Sequence, residues 1–359
     1  MSSTHASAAI GARPLRRLVE ALPKAELHLH IDGSVRVETA LELARTRGVD
    51  APTTYAGMYD ALVAPERTRS QAELLERFTL PIALLQDVEA LERVTGELVE
   101  DKAADRVRYL EIRWGPALHT QRGLSMAEGI AAVCRGASEA AEAAGIVVRL
   151  ICTALRSHEP ELNVELAETA ARFRVAGLVG WDLAGAEERF PDPMLFGRSF
   201  AAARAGGLRI TLHAGEWGGA GQVRRALALD PERIAHGPLA IEDPDLVAEL
   251  ITRGVSLDLC PTSNVQAGIV PSVADHPLAR LHRAGVRVTL STDDSTVSDI
   301  SLSEEYRRAV EDNGLSLPEL WTIDRGALDV AFAETSALAI LRTEFDEWAA
   351  IIPELAPDG

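Results

Sequence analysis

Along the stretch 26-ELHLHIDGS-34, three polar side chains alternate with apolar ones: His28, His30 and Asp32 stand two residues apart. In a strand, residues i and i+2 share a face, so His28 and His30 can offer two imidazole nitrogens to one cation. Further along, 213-HAGE-216 carries His213 and Glu216, 235-AHG-237 carries His236, and 292-TDD-294 carries Asp293 and Asp294. Asp32 aside, four histidines and three carboxylates gathered at one end of a fold would be costly to bury without a cation or a catalytic task. His28, His30, His213 and one carboxylate, Asp293, make a nitrogen-rich, sulfur-free set that suits Zn2+ with room left for a water, whose pKa the metal would lower towards about 7. His236 could then take a proton from that water or orient the hydroxide. Glu216, three residues beyond ligand His213, could pass a proton to a substrate nitrogen.

These residues need elements to bring them together, and eight β-rich runs recur along the chain: 26–33, 107–116, 146–155, 175–185, 208–216, 233–237, 255–264 and 286–294. From the second run onward, about 16 to 29 residues separate neighbours, which is room for one helix and two loops, as a right-handed crossover requires. Acidic residues open 241-IEDPDLVAELITRG-254 and Gly254 ends it, while 276-HPLARLHRAG-285 ends on Gly285, both as helices do. The pattern predicts an α/β fold, a (β/α)8 TIM barrel, with catalytic residues at the C-terminal ends of its strands. About 73 residues between Gly33 and Val107 exceed an ordinary connection. Residues 70–106 read as a helical insertion broken near Leu80 by Pro81, placed where a lid would grow. The region after Asp294 reads as helical. With no repeat or Gly/Ser-rich linker, the expectation is a single barrel domain over 1–359 with 1–20 a loose arm.

Composition narrows the partners. With 36 Lys+Arg against 54 Asp+Glu the net charge is -18, a balance that repels phosphate backbones and anionic lipid, so neither nucleic acid nor a membrane is expected as a partner. Cys134, Cys152 and Cys260 are odd in number and lack any CxxC spacing, which excludes a disulfide framework and a thiolate zinc knuckle. No apolar leader or stretch of roughly 18 apolar residues stands out, so a cytoplasmic location is expected. Oligomeric state is left open.

In order and spacing, 23-PKAELHLHIDGS-34, 182-DLAG-185, 213-HAGE-216, 235-AHG-237, 260-CPTSN-264 and 292-TDD-294 resemble the adenosine deaminase family of the amidohydrolase superfamily, over about residues 23–310. The resemblance implies one zinc per chain on His28, His30, His213 and Asp293. It implies that His30 borders the substrate and that Asp32 accepts from the ribose 5'-hydroxyl, with the Gly185 N–H on purine N3 and Asp294 facing N7. Glu216 would protonate N1 as zinc-bound hydroxide attacks C6, with His236 acting on the water, turning adenosine (and 2'-deoxyadenosine) into inosine and ammonia. An aromatic purine resists attack at C6, and protonating N1 withdraws the opposing electron density, so acid and nucleophile must act on adjacent atoms.

Several positions depart from the family's usual pattern. Ser291 and Ser295 flank TDD where Asn and Pro are common, Trp114 and Gly115 close the second strand, and Trp217 follows HAGE. These positions are expected to lie where the sugar or its 5' substituent is read, leaving adenine or a 5'-modified adenosine as alternative substrates. Asp32 favours a ribose hydroxyl, since adenine-specific relatives tend to carry Glu there. A two-metal amidohydrolase would need a bridging lysine or glutamate that 181-WDLAGAEE-188 does not offer as lysine, and a non-catalytic purine-binding barrel would be expected to lose Glu216 or a ligand. Glu111 and Arg113 read as an ion pair supporting the barrel, and His119, His158, His276 and His282 as exposed.

Overall fold

The computed structural model describes residues 12–355, in which eight parallel strands run in chain order: β1 Lys24–His30, β2 Val107–Trp114, β3 Val147–Leu155, β4 Leu178–Ala184, β5 Arg209–His213, β6 Arg233–Ala235, β7 Ser256–Leu259 and β8 Val288–Leu290. Each pairs with the next in parallel. The ring closes where Leu29 bridges Asp293: His30 N donates to Asp293 O at 2.8 Å and Asp293 N donates to His28 O at 3.1 Å. The expected (β/α)8 barrel is therefore present, and its closing hydrogen bonds run through three of the expected metal ligands.

Helices cover the outside as the end signals predicted. Pro244–Arg253 starts on the Asp243 side chain, which accepts from Leu246 N, and stops at Gly254 with φ 66°. The insertion after β1 is broken into several short helices. Pro81 sits inside Thr79–Leu84, where it falls in the first turn and costs little. The real break comes at Leu85–Asp87, where the Asp87 carboxylate caps the next helix, Val88–Ala104, through Ala90 N at 2.8 Å. The N-terminal arm also needs correcting: Ala12–Ala21 is a helix with Leu15 and Val19 buried, because an amphipathic face there finds apolar neighbours; residues 1–11 lie outside the described part. After β8 come the helices Leu302–Glu311, Leu317–Val330 and Thr335–Ala349.

Inside the barrel the filling is ionic. Glu111, Arg113, Asp182, Arg233 and Asp258 are all fully buried. Glu111 and Arg113 do share a strand, yet they do not pair with each other: Glu111 binds Arg233 across the barrel, and Arg113 faces Asp182 at 3.5 Å and Asp258 at 3.6 Å. Two residues apart on one strand, their side chains run parallel, whereas opposite strands point head to head. The Phe332 ring seats 3.8 Å from the Arg233 guanidinium, and its N–H donates to Glu111 at 2.6 Å, plugging this end with an aromatic face.

Asp324 is another buried carboxyl, accepting from Ala25 N at 2.9 Å and Tyr306 OH at 2.7 Å. Burial pushes its pKa up to about 7. The folded chain thus keeps a proton that the unfolded chain releases near pH 4, so this group's contribution is full at low pH and is lost as pH rises through 7. Asp324→Asn keeps both acceptor contacts and removes the charge. It is expected to raise the melting temperature at pH 8 by roughly 2 °C and to leave it unchanged near pH 4, as calorimetry at the two pH values would read.

Candidate active site

At the C-terminal mouth of the barrel, β1 delivers His28 and His30 from one face and β5 ends on His213. Their three Nε2 atoms lie 3.1, 3.2 and 3.3 Å apart, and Asp293 Oδ1 lies 3.0 Å from His28 Nε2 and 3.4 Å from His30 Nε2. Ligands sharing one Zn2+ at the usual distance of about 2.0–2.1 Å stand roughly 3 Å or a little more from their neighbours. The donor set and its spacing therefore fit one small divalent cation. The charge state fits too: burial holds the His30 imidazole down at about pKa 3 and His28 well below its ordinary value, keeping both lone pairs free. Burial opposes ionisation of Asp293, but His28 and His236 outweigh it and hold this carboxyl well below the usual carboxylate range.

Support for these ligands comes from residues whose role the sequence reading did not assign. Asp182, in the DLAG segment, accepts from His213 Nδ1 at 3.0 Å and from Thr153 Oγ1 at 3.1 Å, fixing the ring so that Nε2 faces the other three donors. Ser263 Oγ donates to Asp293 Oδ2 at 2.7 Å. Glu187 takes three backbone donors of the loop after β5, from Gly215, Trp217 and Gly218 at 2.8–3.0 Å, and so shapes the turn that carries Glu216. Its only sequence signal was an acid shortly after DLAG.

Glu216 and His236 face each other across the mouth, Oε2 to Nε2 at 3.8 Å, and His236 Nε2 lies 3.7 Å from Asp293 Oδ2. Burial and the nearby Asp293 push the Glu216 carboxyl up to about 8, so it holds a proton at neutral pH. Asp294 is also raised, first by burial and then by Asp293 and Asp32, while burial brings Asp32 to about 6. One oxygen of each, Asp32 Oδ1 and Asp294 Oδ1, is buried without a hydrogen-bond partner and lines the cavity. His236 and Asp293 both have left-handed backbones, φ 68° and 65°, a strained state that here aims two functional side chains.

The cavity beside this cluster holds about 350 Å3, and the insertion supplies its apolar wall through Leu74, Leu75, Phe78 and Ile82. Gly185 enters it at φ 102°, a conformation that favours glycine, and Gly33 is required by close approach: a Cβ there would meet Asp294 Oδ1 at 1.7 Å. All of the residues expected from the sequence converge on this place. Of the flagged departures, Gly115 and Trp217 line the cavity; Trp114, Ser291 and Ser295 do not, since Trp114 points outward into the apolar layer and Ser291 Oγ accepts from Leu27 N. His119 and His276 are buried rather than exposed, and His158 and His282 half-buried, because the segments carrying them fold against the barrel.

With the barrel and the mouth both placed, the fold and site define a metal-assisted hydrolase of the barrel type. A family model described as adenosine deaminase matches residues 23–348, and the chain belongs to that family. An adenosine deaminase of Clostridium perfringens is 39% identical over 87% of this chain and 94% of that protein. Among solved structures, an adenine deaminase from Arthrobacter aurescens superposes with TM-score 0.85 at 30% identity, over 92% of this chain and 99% of that one. A Burkholderia ambifaria amidohydrolase with bound Zn gives 0.85 at 28%, over 97% of each, and an Arabidopsis N6-mAMP deaminase gives 0.82 at 32%, over 92% and 99%.

Arg113→Leu should lower unfolding free energy by about 3–5 kcal/mol, because Asp182 would be left buried without its guanidinium, while Asp258 keeps Arg233 at 3.2 Å. Urea unfolding of the variant measures it; a change below about 1 kcal/mol would show the pairing to be dispensable.

Proposed function

We propose that this chain hydrolytically deaminates adenosine and 2'-deoxyadenosine to inosine and 2'-deoxyinosine with release of ammonia. The observation that carries the reading is the cluster of His28, His30, His213 and Asp293, whose donor atoms lie within 4.8 Å of one another, beside the Glu216 carboxyl, which burial and Asp293 favour in its protonated form. The cation is proposed to be one Zn2+ per chain, held by those four residues; when bound it polarises a water and lowers its pKa towards about 7.

The chain's own groups divide the remaining work. Glu216 gives its proton to N1, opening C6 to attack by the water oxygen. N7 is a hydrogen-bond acceptor, so its neighbour must donate, and the raised pKa of Asp294 supplies that proton. Gly185 offers its N–H to N3. Asp32, with an unpartnered buried oxygen, accepts from the ribose 5'-hydroxyl. His30, bordering the cavity, also limits where the ring can lie. His236 acts on the attacking water, and the C6–N bond breaks as the amine leaves. Of the water's two protons, one restores the Glu216 carboxyl after it has given its own to N1, and the other leaves on the ammonia.

The adenine and N6-mAMP deaminases among the structural relatives keep two other substrates in view. A cavity of about 350 Å3 has room for more than a bare purine. A 5'-phosphate would place a second negative charge near Asp32. An ultraviolet assay of purified protein against adenosine, 2'-deoxyadenosine, adenine and AMP decides among them. Adenosine is expected to lead adenine and AMP by about 10²-fold or more in kcat/KM; adenine or AMP turning over faster would overturn the substrate assignment.

Glu216→Gln is expected to lose about 10²–10⁴ in kcat with KM little changed, while keeping one equivalent of zinc by elemental analysis. Wild-type kcat in this variant would remove Glu216 as the donor. Two equivalents of zinc would contradict the single-metal site.

A further inference from the structure

His236 reaches the reacting centre through Nε2, and its other ring nitrogen leads away into the protein. Nδ1 lies 3.2 Å from Asn264 Nδ2; Asn264 Oδ1 lies 3.1 Å from His276 Nε2; and the backbone N–H of Leu278 points at His276 Nδ1 over 3.2 Å. All three side chains are buried, His236 at 1%, Asn264 at 0% and His276 at 2% exposure.

A backbone N–H can only donate, and that fact sets the direction of every bond in the chain. Because His276 Nδ1 accepts from Leu278, that imidazole is neutral and carries its proton on Nε2. Asn264 must then meet it with Oδ1, which turns the amide NH2 towards His236. His236 Nδ1 in turn must accept, so neutral His236 carries its proton on Nε2, facing Asp293 Oδ2 and Glu216. The reverse amide orientation would set the Asn264 NH2 against His276 Nε2–H, two donors with no lone pair between them, in a place without solvent to relieve it. Burial also holds the His276 imidazole neutral, its pKa pushed down to about 3.

We propose that Asn264 and His276 are positioning residues that hold His236 as the Nε2–H tautomer, making it a hydrogen-bond donor to the water oxygen rather than the base that deprotonates it. This rests on the deaminase reading only for where the water stands. It selects between the two roles that position alone left to His236. It also bears on metal number. His236, Cys260 and Asp293 form a second cluster with ligand-like spacing, but in this tautomer neither His236 nitrogen has a free lone pair to give: Nε2 is protonated, and the Nδ1 pair is taken up by Asn264.

Two arms of one experiment test the proposal. Zinc-loaded protein labelled with ¹⁵N at histidine, with His236 assigned by the loss of its signals in His236→Gln, reports the tautomer directly in long-range ¹H–¹⁵N spectra. His236 and His276 should each show an unprotonated, pyridine-type Nδ1 and a protonated Nε2; a protonated Nδ1 on His236 overturns the proposal, whatever the substrate proves to be. Asn264→Asp is isosteric but can only accept at both ends, so it should invert the His236 tautomer. In a hydrolase triad, an isosteric change that imposes the wrong histidine tautomer costs about 10⁴ in kcat, and a loss of about 10²–10⁴ with KM within threefold is expected here. A variant with its tautomer unchanged or kcat within threefold of wild type overturns it. His276→Gln, which can still donate to Asn264, should recover most of the activity that His276→Leu loses; equal losses would reduce His276 to a packing residue. Should Asn264→Asp fail to fold, the wild-type spectrum alone decides.

Discussion

Arg113 stands fully buried inside the barrel, 3.5 Å from Asp182 and 3.6 Å from Asp258, and donates to Leu27 O at 2.8 Å. Burial would raise the Asp182 carboxyl, but His213 and Arg113 outweigh it and hold it well below the ordinary range. That charge fixes His213: a permanent acceptor at Nδ1 keeps the proton there and leaves Nε2 bare for a cation. The cation site at the mouth thus depends on a guanidinium one layer below it, one that touches none of the ligands' donor atoms. A core of apolar side chains would pack the same space more cheaply, yet it would leave Asp182 free to take up a proton and His213 free to turn.

Two of the residues with left-handed backbones, His236 and Asp293, serve the same region. His236 and Asp293 each end a strand in the left-handed region, and each is held by ladder-type bonds: His236 N to Asp258 O at 2.9 Å, Asp293 N to His28 O at 3.1 Å. Such a conformation costs about 1–3 kcal/mol per residue and persists only where surrounding bonds over-determine it. The turn it produces swings each side chain from the barrel wall to the metal centre. For Asp293 the bonds that close the ring are also those that hold the strained residue, so closure and ligand placement are one event.

The strand order and the residues at the mouth were readable because both rest on short-range rules. Alternation put His28 and His30 on one face, and HAGE, AHG and TDD each ended a run of strand-like residues. What failed was inference about partners. Glu111 and Arg113 are neighbours in sequence, yet each found its counterion across the barrel, a distance no spacing encodes. His276 opens a short helical segment after a loop, a position that predicts exposure. It is buried because Asn264, on a different turn, needed an acceptor-to-donor bridge to His236. The roles of Asp182 and Glu187 are not legible in the sequence, since a lone acid after an apolar run signals nothing until the donors around it are seen.

Asp293 and Asp294 are adjacent in the chain and carry the same side chain, yet the site drives them to opposite states. Asp293 turns to His28, His30 and His236, and these imidazoles favour its charge. Asp294 turns towards Asp32 and the cavity, where burial and three carboxyl neighbours disfavour it. Gly33 permits this arrangement, since any side chain there would occupy the space of the Asp294 carboxyl. Deamination of a purine needs an ionised ligand for the cation and neutral acids for the ring nitrogens within one small volume. Water could not keep two such groups in different states at one pH. Here the difference is held by which neighbours each carboxyl faces, and pairs driven apart in this way are how acid and base roles are divided within a site.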